Sequence, residues 1–213
     1  MWRIGKGFVE YQSMDAFTCW EGNARAFLTL LYYNCFKKRS ETLLSKPQVI
    51  IYTDGGAIGN PGPGGYGAVI LQAGQRKELS GGYRLTTNNR MELTAAVEAL
   101  RVLPVSSQVT LHTDSKYLVD AVTQGWAKRW RANGWKRNKK DKALNPDLWQ
   151  QLLDLLEKHQ VEFVWVKGHA GNRENERCDR LAVQAASGKN LPADAGYRPD
   201  DETGGEPRQL NLI

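Results

Sequence analysis

The fold is decided by residues 48–72, QVIIYTDGGAIGNPGPGGYGAVILQ. Residues 48–54 form an apolar run that ends in Asp54, as expected of a strand covered on both faces of a sheet. A glycine-rich turn follows, and residues 67–72 and 77–85 predict two more strands. We therefore expect these three strands to form an antiparallel meander.

The rest of the central region alternates helical and strand-like patterns. Thr87, Asn88 and Asn89 offer side-chain caps for a helix that runs to about residue 103. The later elements are predicted to be, in order, strand 109–113, a short helix capped by Asp114 or Ser115, helix 146–159, strand 161–166 and helix 172–186. The order β-β-β-α-β-α-α-β-α indicates an α/β fold with one mixed five-stranded sheet and helices on both faces.

Three regions of different composition suggest the domain organisation. Residues 1–47 are aromatic and irregular, and they are either an appendage of unassigned role or non-native sequence upstream of the true start. Residues 48–187 carry the alternating pattern and are the predicted catalytic domain. Residues 188–213 are rich in glycine, proline and acidic residues, which predicts a flexible tail.

Four acidic residues suggest the chemistry: Asp54, Glu92, Asp114 and Asp179. Asp54 and Asp114 each end an apolar run, and the other two lie in helical segments. Strand ends and helices can direct carboxylates to a common centre, where like charges raise one another's pKa unless a cation is present. Because an all-oxygen ligand set favours Mg²⁺ over Zn²⁺, the pattern predicts metal-assisted chemistry on a phosphodiester.

Each carboxylate taken alone also has a structural explanation. Asp114 could cap the helix that follows it, and Glu92 could be a surface residue in the first turn of its helix. Asp179 could be one more solvated charge in the segment ENERCDR. The functional interpretation depends on all four occurring together, each within a longer motif.

Four segments resemble the signature blocks of bacterial type 1 ribonuclease H. They are YTDGGAIGNPGPGGYGAVI, TTNNRMELTAAVEAL, HTDSKYLVDAV and VKGHAGNRENERCDRLA, and the resemblance covers residues 48–186. It implies a ribonuclease H-like fold. It also implies an endonuclease that cleaves the RNA strand of RNA·DNA hybrids and leaves 3′-hydroxyl and 5′-phosphate ends.

The resemblance also implies roles for individual residues. The four carboxylates would ligate two Mg²⁺ ions, for which Mn²⁺ can substitute, with Asp54 between them and Asp179 at the more loosely bound one. One ion would activate water for in-line attack and the other would stabilise the leaving 3′-oxygen. His169, in the glycine-flanked segment KGHAG, would shuttle protons or help the product to leave.

A basic segment, residues 126–142, is the expected contact for the DNA strand. It holds eight Lys or Arg residues against one Asp, a net charge of +7, whereas the whole chain carries +6. Such a surface would bind phosphates with strong salt dependence. Trp126 and Trp130 could instead pack on the core, since they share one helix face, and Trp135 is the better candidate for a sugar contact. The residues assigned to this interface are Trp126, Lys128, Arg129, Trp130, Arg131, Trp135, Lys136 and Arg137.

Hybrid selectivity requires contacts that test for 2′-hydroxyl groups in a wide minor groove. Asn60, Asn88 and Asn89 could reach base edges or 2′-hydroxyl groups. By resemblance, Thr87 and Asn145 would form a pocket for a DNA phosphate. Many relatives carry arginine two residues before the equivalent of Thr87, whereas this chain has Leu85 with Arg84 adjacent. Either Arg84 substitutes for that arginine, or the pocket is weaker.

The last five residues, QLNLI, are similar to the short peptide by which bacterial repair proteins bind the sliding clamp. Two terminal apolar anchors on a tether would suit insertion into a preformed pocket. The alternative is an accidental apolar end. The residues of this predicted contact are Gln209, Leu210, Leu212 and Ile213.

Other interpretations of the chain fit the sequence less well. A catalytically silent hybrid-binding module would tolerate loss of a carboxylate, yet all four are present. A retroelement-derived nuclease domain or a related DNA transferase is less consistent with complete signature blocks and no adjoining polymerase sequence. An odd number of cysteines, Cys19, Cys35 and Cys178, without CxxC spacing indicates free thiols in the cytoplasm. We expect a monomer without membrane attachment.

Overall fold

The computed structural model describes residues 46–199, which form one mixed five-stranded sheet with helices on both faces. The strands are β1 (Gln48–Ala57), β2 (Gly62–Gln72), β3 (Gln75–Thr86), β4 (Gln108–Thr113) and β5 (Gln160–Trp165). Their order across the sheet is β3-β2-β1-β4-β5. β1, β2 and β3 form the antiparallel meander, whereas β1, β4 and β5 are parallel. The predicted fold class is confirmed.

The helices are α1 (Asn88–Arg101), α2 (Lys116–Thr123), α3 (Trp126–Ala132), α4 (Pro146–Lys158) and α5 (Arg173–Ala186). Side chains of Thr87, Ser115 and Asn172 cap α1, α2 and α5 by accepting backbone N–H bonds. The sequence predicted two helices between β4 and β5, but the described chain has three there. The additional helix is α3, which forms because Ala127 and Trp130 are buried on the face it turns to the core.

The glycine-rich segment differs from the predicted turn. The connection between β1 and β2 is only residues 58–61, and the glycines that follow lie within β2. At Gly65 and Gly67 an added Cβ would overlap the carbonyl oxygens of Ala182 and Cys178, respectively. These glycines are therefore strand residues that allow α5 to pack directly on β2.

Two hydrophobic clusters lie on opposite faces of the sheet. Side chains alternate between faces along a strand. Val49 and Ile51 of β1 accordingly join the larger cluster, with α1 and α4, while Val69 of β2 joins Cys178 and Leu181 of α5. The packing of α5 on one face and α1 on the other brings both helices to β1, where Asp54 lies.

Residues 192–197, here called the C-terminal strap, lie on the folded domain although the sequence placed them in a flexible tail. The Arg84 N–H donates to the Pro192 carbonyl oxygen at 2.9 Å, and the Thr86 hydroxyl donates to Asp194 at 2.8 Å. The predicted start of the tail, residue 188, is therefore too early. Within residues 46–199 no helix is long and apolar enough to cross a bilayer.

Candidate active site and nucleic-acid interface

The four predicted carboxylates come from four elements that meet at one edge of the sheet. Asp54 lies in β1, opposite Gly67 of β2, and Asp114 directly follows the parallel strand β4. The ends of neighbouring parallel strands lie at the same edge, so these two residues are adjacent. Glu92 projects from the second turn of α1, and Asp179 lies in α5.

The carboxylates are close enough to change the ionisation of Asp54. Burial, followed by the charge of Asp114, raises the pKa of Asp54 to about 8, although a hydrogen bond from the Gly55 N–H opposes the shift. The charges of Asp179 and Glu92 raise this pKa further. All four predicted residues therefore act on one site, which a cation would stabilise.

Glu92 reaches this edge because α1 packs against the backbone of β1. A Cβ at Gly55 would overlap the Met91 backbone, so only glycine permits this approach. The Glu92 side chain is buried, and it accepts a hydrogen bond from the Ser115 hydroxyl. The sequence predicted Ser115 as a cap but did not connect it with Glu92.

Asp114 is held by two residues that the sequence did not single out. The Asn175 side-chain Nδ2 donates to Asp114 Oδ2 at 3.3 Å, and the Trp165 indole N–H donates to the Asp114 carbonyl oxygen at 3.1 Å. Asn175 Oδ1 is buried without a hydrogen-bond partner in the described chain. Asn175 precedes Asp179 by four positions in α5, which is a spacing that places both on one helix face and could have identified it.

The donor set fits a hard divalent cation, although a closed ligand shell is not preformed. Among residues 46–199, no three Asp, Glu, His or Cys side chains are already grouped as metal ligands. The carboxylates nevertheless offer only oxygen donors around Asp54, a half-buried acid whose pKa is raised. A cleft of about 120 Å³ adjoins Asp54 and Asp179 and is lined by Ile58, Val183 and the glycines of β1.

His169 lies in the loop between β5 and α5, next to the carboxylates. It is exposed and has a φ of 50°. A Cβ at the preceding residue, Gly168, would lie 2.8 Å from Asp114 Oδ2, so the loop passes directly beside this carboxylate. The predicted role of His169 in proton transfer or product release stays a prediction.

The basic segment forms α3 and the loop that follows it. Lys128, Arg129 and Lys136 are exposed. By contrast, Arg131 pairs with Asp154 and Glu157 of α4, at 3.5 and 2.8 Å. Arg137 pairs with Asp141 at 3.3 Å. Only part of the predicted positive charge is therefore unopposed at the surface.

The tryptophans of this segment pack on the core more than the sequence suggested. Trp130 is 8% exposed, and Trp126 packs against the same cluster, as the alternative interpretation proposed. Trp135 is half-buried and also packs against this cluster, and its predicted contact with a sugar stays a prediction. A cavity of about 320 Å³ remains between α2, α3 and the loop. Its lining is Tyr117, Trp126, Arg129, Trp130, Asn133, Arg137, Ala143 and Leu144.

Thr87 and Asn145, the predicted phosphate pocket, share a neighbour. Thr87 is 3% exposed and accepts the Arg90 N–H at 3.4 Å, while Asn145 accepts a hydrogen bond from the Arg90 guanidinium at 3.3 Å. Arg84 and Leu85 are both exposed, but they point to opposite faces because strand side chains alternate. This geometry does not favour Arg84 as a substitute for an arginine at position 85.

The predicted asparagines lie at the junction of the β1–β2 turn and α1. Asn88 Oδ1 accepts the Ala57 N–H at 2.7 Å, and Asn60 Oδ1 accepts the Asn88 N–H at 3.2 Å. Asn60 is exposed, whereas Asn89 is buried at 6% exposure. Asn89 is therefore poorly placed to reach a base edge in this structure.

Two predicted segments lie outside the described residues. The N-terminal extension is described only at residues 46 and 47. The predicted clamp-binding residues, Gln209, Leu210, Leu212 and Ile213, fall beyond residue 199.

Comparison with known proteins gives consistent matches over the described domain. The model of the RNase H family matches residues 46–187. Ribonuclease H of Trichodesmium erythraeum is 67% identical over 153 residues, which are 72% of this chain and 98% of the relative. Ribonuclease HI of a Synechocystis species is 62% identical over 150 residues, 70% of this chain and 94% of the relative.

Solved structures of RNase H proteins also match this chain. LC9-RNase H1, described as a type 1 RNase H with the type 2 active-site motif, matches with a TM-score of 0.62 and 33% identity. The match covers 76% of this chain and 86% of that one. LC11-RNase H1, crystallised with an RNA/DNA hybrid, matches with a TM-score of 0.50 and 30% identity. It covers 65% of this chain and 96% of that one.

Proposed function

The chain belongs to the ribonuclease H family, and on this premise we propose that it is a metal-dependent endonuclease that hydrolyses the RNA strand of RNA·DNA hybrids. The observation that carries the proposal is the half-buried Asp54, whose pKa is raised to about 8 by burial and by three neighbouring carboxylates. Carboxylates held close together are unfavourable for stability, but this arrangement is what binding of divalent cations requires.

We propose that Asp54, Glu92, Asp114 and Asp179 hold two Mg²⁺ ions when substrate is bound, and that Mn²⁺ can replace them. Bound Mg²⁺ would supply an activated water and stabilise charge on the leaving oxygen. Asp54 has the central position because the other three carboxylates all act on its ionisation. Ser115 and Asn175 orient Glu92 and Asp114 through hydrogen bonds.

His169 is proposed to move a proton near the scissile phosphate or to assist product release. Its exposed position on a loop that touches Asp114 supports this role. Histidine is the side chain most often used by enzymes as a general acid or base.

The basic segment is proposed to hold the DNA strand. Lys128, Arg129 and Lys136 are exposed and available for phosphate contacts. Trp126 and Tyr117 line the adjoining cavity, and their aromatic rings offer a surface against which a sugar can pack. LC11-RNase H1, a structural relative, was crystallised with an RNA/DNA hybrid, which supports this substrate class. Thr87 and Asn145 would contact a DNA phosphate, and Asn60 and Asn88 would lie along the RNA strand.

A substrate comparison tests the proposed activity. Purified protein is incubated with end-labelled hybrid, duplex DNA and duplex RNA of one sequence, with Mg²⁺ or with EDTA. We expect cleavage of the RNA strand in the hybrid only, with Mg²⁺ only, leaving 3′-hydroxyl and 5′-phosphate ends. Cleavage of all three duplexes, or cleavage in EDTA, would contradict the proposal.

Three finer proposals rest on the sequence. First, residues 209–213, QLNLI, are proposed to bind the sliding clamp. Second, the protein is proposed to act as a monomer, and third, its compartment is proposed to be the cytoplasm. Pull-down by purified clamp should disappear when the last five residues are deleted; unchanged capture would contradict the first proposal. The molecular mass from light scattering at several protein concentrations tests the monomer proposal. Cell fractionation tests the proposed compartment.

A further inference from the structure

A buried ion cluster lies behind the proposed phosphate pocket. The Arg90 guanidinium donates to both oxygens of Asp194, at 2.7 and 2.8 Å, and to both oxygens of Asp147, at 3.0 and 2.8 Å. The Arg90 side chain is 4% exposed and that of Asp194 is 6% exposed. Two bidentate carboxylates on one guanidinium fix its plane and its position.

This cluster contacts one residue of the proposed pocket and adjoins the other. The Arg90 guanidinium also donates to Asn145 Oδ1 at 3.3 Å, and the Arg90 backbone N–H donates to the Thr87 hydroxyl at 3.4 Å as the cap of α1. Asn145 starts α4 with a left-handed φ of 56° and makes no side-chain cap. Its amide group is therefore oriented by Arg90.

The C-terminal strap supplies the second carboxylate of the cluster. Asp194 is fixed by the Thr86 hydroxyl at 2.8 Å and by the Gly196 N–H at 3.1 Å. A Cβ at Gly196 would overlap Asp147 Oδ2 and the Arg90 guanidinium, so a larger residue at this position would displace the ion cluster. The strap lies beyond residue 187, where the family match ends.

We propose that the C-terminal strap is a positioning element for DNA-strand binding: Asp194 fixes the Arg90 guanidinium, and the guanidinium orients Asn145 in the phosphate pocket that Asn145 forms with Thr87. The inference rests on the proposed function, because it assumes that the pocket binds a hybrid. Asp194 touches no substrate in this scheme. Its removal would weaken hybrid binding and leave the carboxylate chemistry intact.

The test combines a strap variant with a modified substrate. Asp194→Ala is compared with the wild-type protein on hybrids that carry one neutral methylphosphonate, placed in turn along the DNA strand. For the wild type, we expect one methylphosphonate position to raise KM about tenfold, the effect of removing one charge-assisted hydrogen bond. For Asp194→Ala, we expect KM on the unmodified hybrid to rise about tenfold with kcat within about twofold. The sensitivity to that methylphosphonate should disappear, because the variant no longer binds this phosphate.

Two further variants separate positioning from general destabilisation. Leu103→Ala truncates a buried residue beyond the far end of α1, and it should lower Tm yet keep both the wild-type KM and the methylphosphonate sensitivity. Asp194→Asn keeps the side-chain shape, and it replaces Asp194→Ala in the same kinetic measurements if Asp194→Ala does not fold.

The inference is overturned if a folded Asp194 variant retains the wild-type methylphosphonate sensitivity, or if Leu103→Ala loses it to the same extent. Absence of hybrid hydrolysis by the wild-type protein is a different result, which would contradict the proposed function and this inference with it.

Discussion

Asp54 is half-buried beside three other carboxylates. Its burial, followed by the charges of these neighbours, raises the pKa of Asp54 to about 8. Two further side chains, Ser115 and Asn175, support this group by bonding to Glu92 and Asp114. At the scale of single residues, the site therefore consists of unfavourable charges held in place by neutral donors. Two expected results follow, one for stability and one for activity.

Asp54→Asn should stabilise the metal-free protein at alkaline pH. Because the folded pKa lies above the ordinary 3.8, the folded state retains a proton that the unfolded chain releases between pH 3.8 and about 8. The free energy of unfolding of the wild type therefore falls as pH rises through this window. The free energy of unfolding of the variant lacks this decrease, because asparagine does not titrate. Urea unfolding in EDTA at pH 9 should show a gain of about 2 kcal/mol or more. A variant less stable than the wild type at pH 9 would contradict this.

Asn175→Ala should reduce kcat by about 10–100-fold, the usual cost of removing a group that orients a metal ligand. KM for the hybrid should change little, since Asn175 contacts Asp114 and not the proposed nucleic-acid surface. Hydrolysis kinetics at saturating Mg²⁺ provide the measurement, with the exposed Arg180→Ala on the same helix as control. An unchanged kcat would show that Asn175 does not orient a metal ligand.

The four carboxylates could be predicted from sequence because each ends an apolar run or lies in a helical segment, within a longer motif. Ser115 and Asn175 could not be assigned their partners, since each bonds a residue distant in sequence: 23 positions for Ser115 and 61 for Asn175. The sequence also did not predict that Trp135 packs against the larger hydrophobic cluster, because its neighbours in the sequence are mainly basic.

At the scale of elements, the contact between α5 and β2 fixes the position of Asp179. This contact depends on Gly65 and Gly67, where side chains would overlap the α5 backbone. The sequence suggested a turn because glycines are frequent in turns. Glycine is required here for close packing, which a single sequence does not distinguish from a turn.

Gly67→Ala should destabilise the domain by roughly 2–3 kcal/mol, since the new methyl group cannot be accommodated without moving α5. Gly56→Ala is the matched control, because the nearest atom to its Cβ, Asn88 Oδ1, lies 4.0 Å away. Thermal unfolding of both variants gives the comparison. Equal stability of the two would show that α5 adjusts freely to the methyl group.

At the scale of the whole molecule, positive charge is concentrated at one place while the rest of the chain is close to neutral. Residues 126–142 carry a net +7 in a chain of +6. The structure divides this charge into exposed residues, such as Lys128 and Arg129, and residues already paired, such as Arg131. Composition located the patch, but the ion pairs that reduce it require the packing of α3 on α4.

The salt dependence of hybrid binding should report this division. Replacing Lys128, Arg129 and Lys136 together by alanine should lower the slope of log Kd against log salt by roughly 0.9 for each phosphate that is no longer neutralised. Arg131→Ala should change the slope much less, because this arginine already pairs with Asp154 and Glu157. A larger change for Arg131→Ala than for the triple variant would contradict the assignment.

The central claim is that Asp54 organises a divalent-cation site that cleaves RNA in hybrids. The most direct measurement is RNA-strand hydrolysis of a hybrid by wild-type and Asp54→Asn protein across a Mg²⁺ titration. We predict that the variant is slower by more than about 100-fold at every Mg²⁺ concentration, since removal of an outer-shell partner alone costs about 10–100-fold. Its hybrid affinity and its fold should be retained. Hydrolysis by Asp54→Asn within a few-fold of the wild type would contradict the claim.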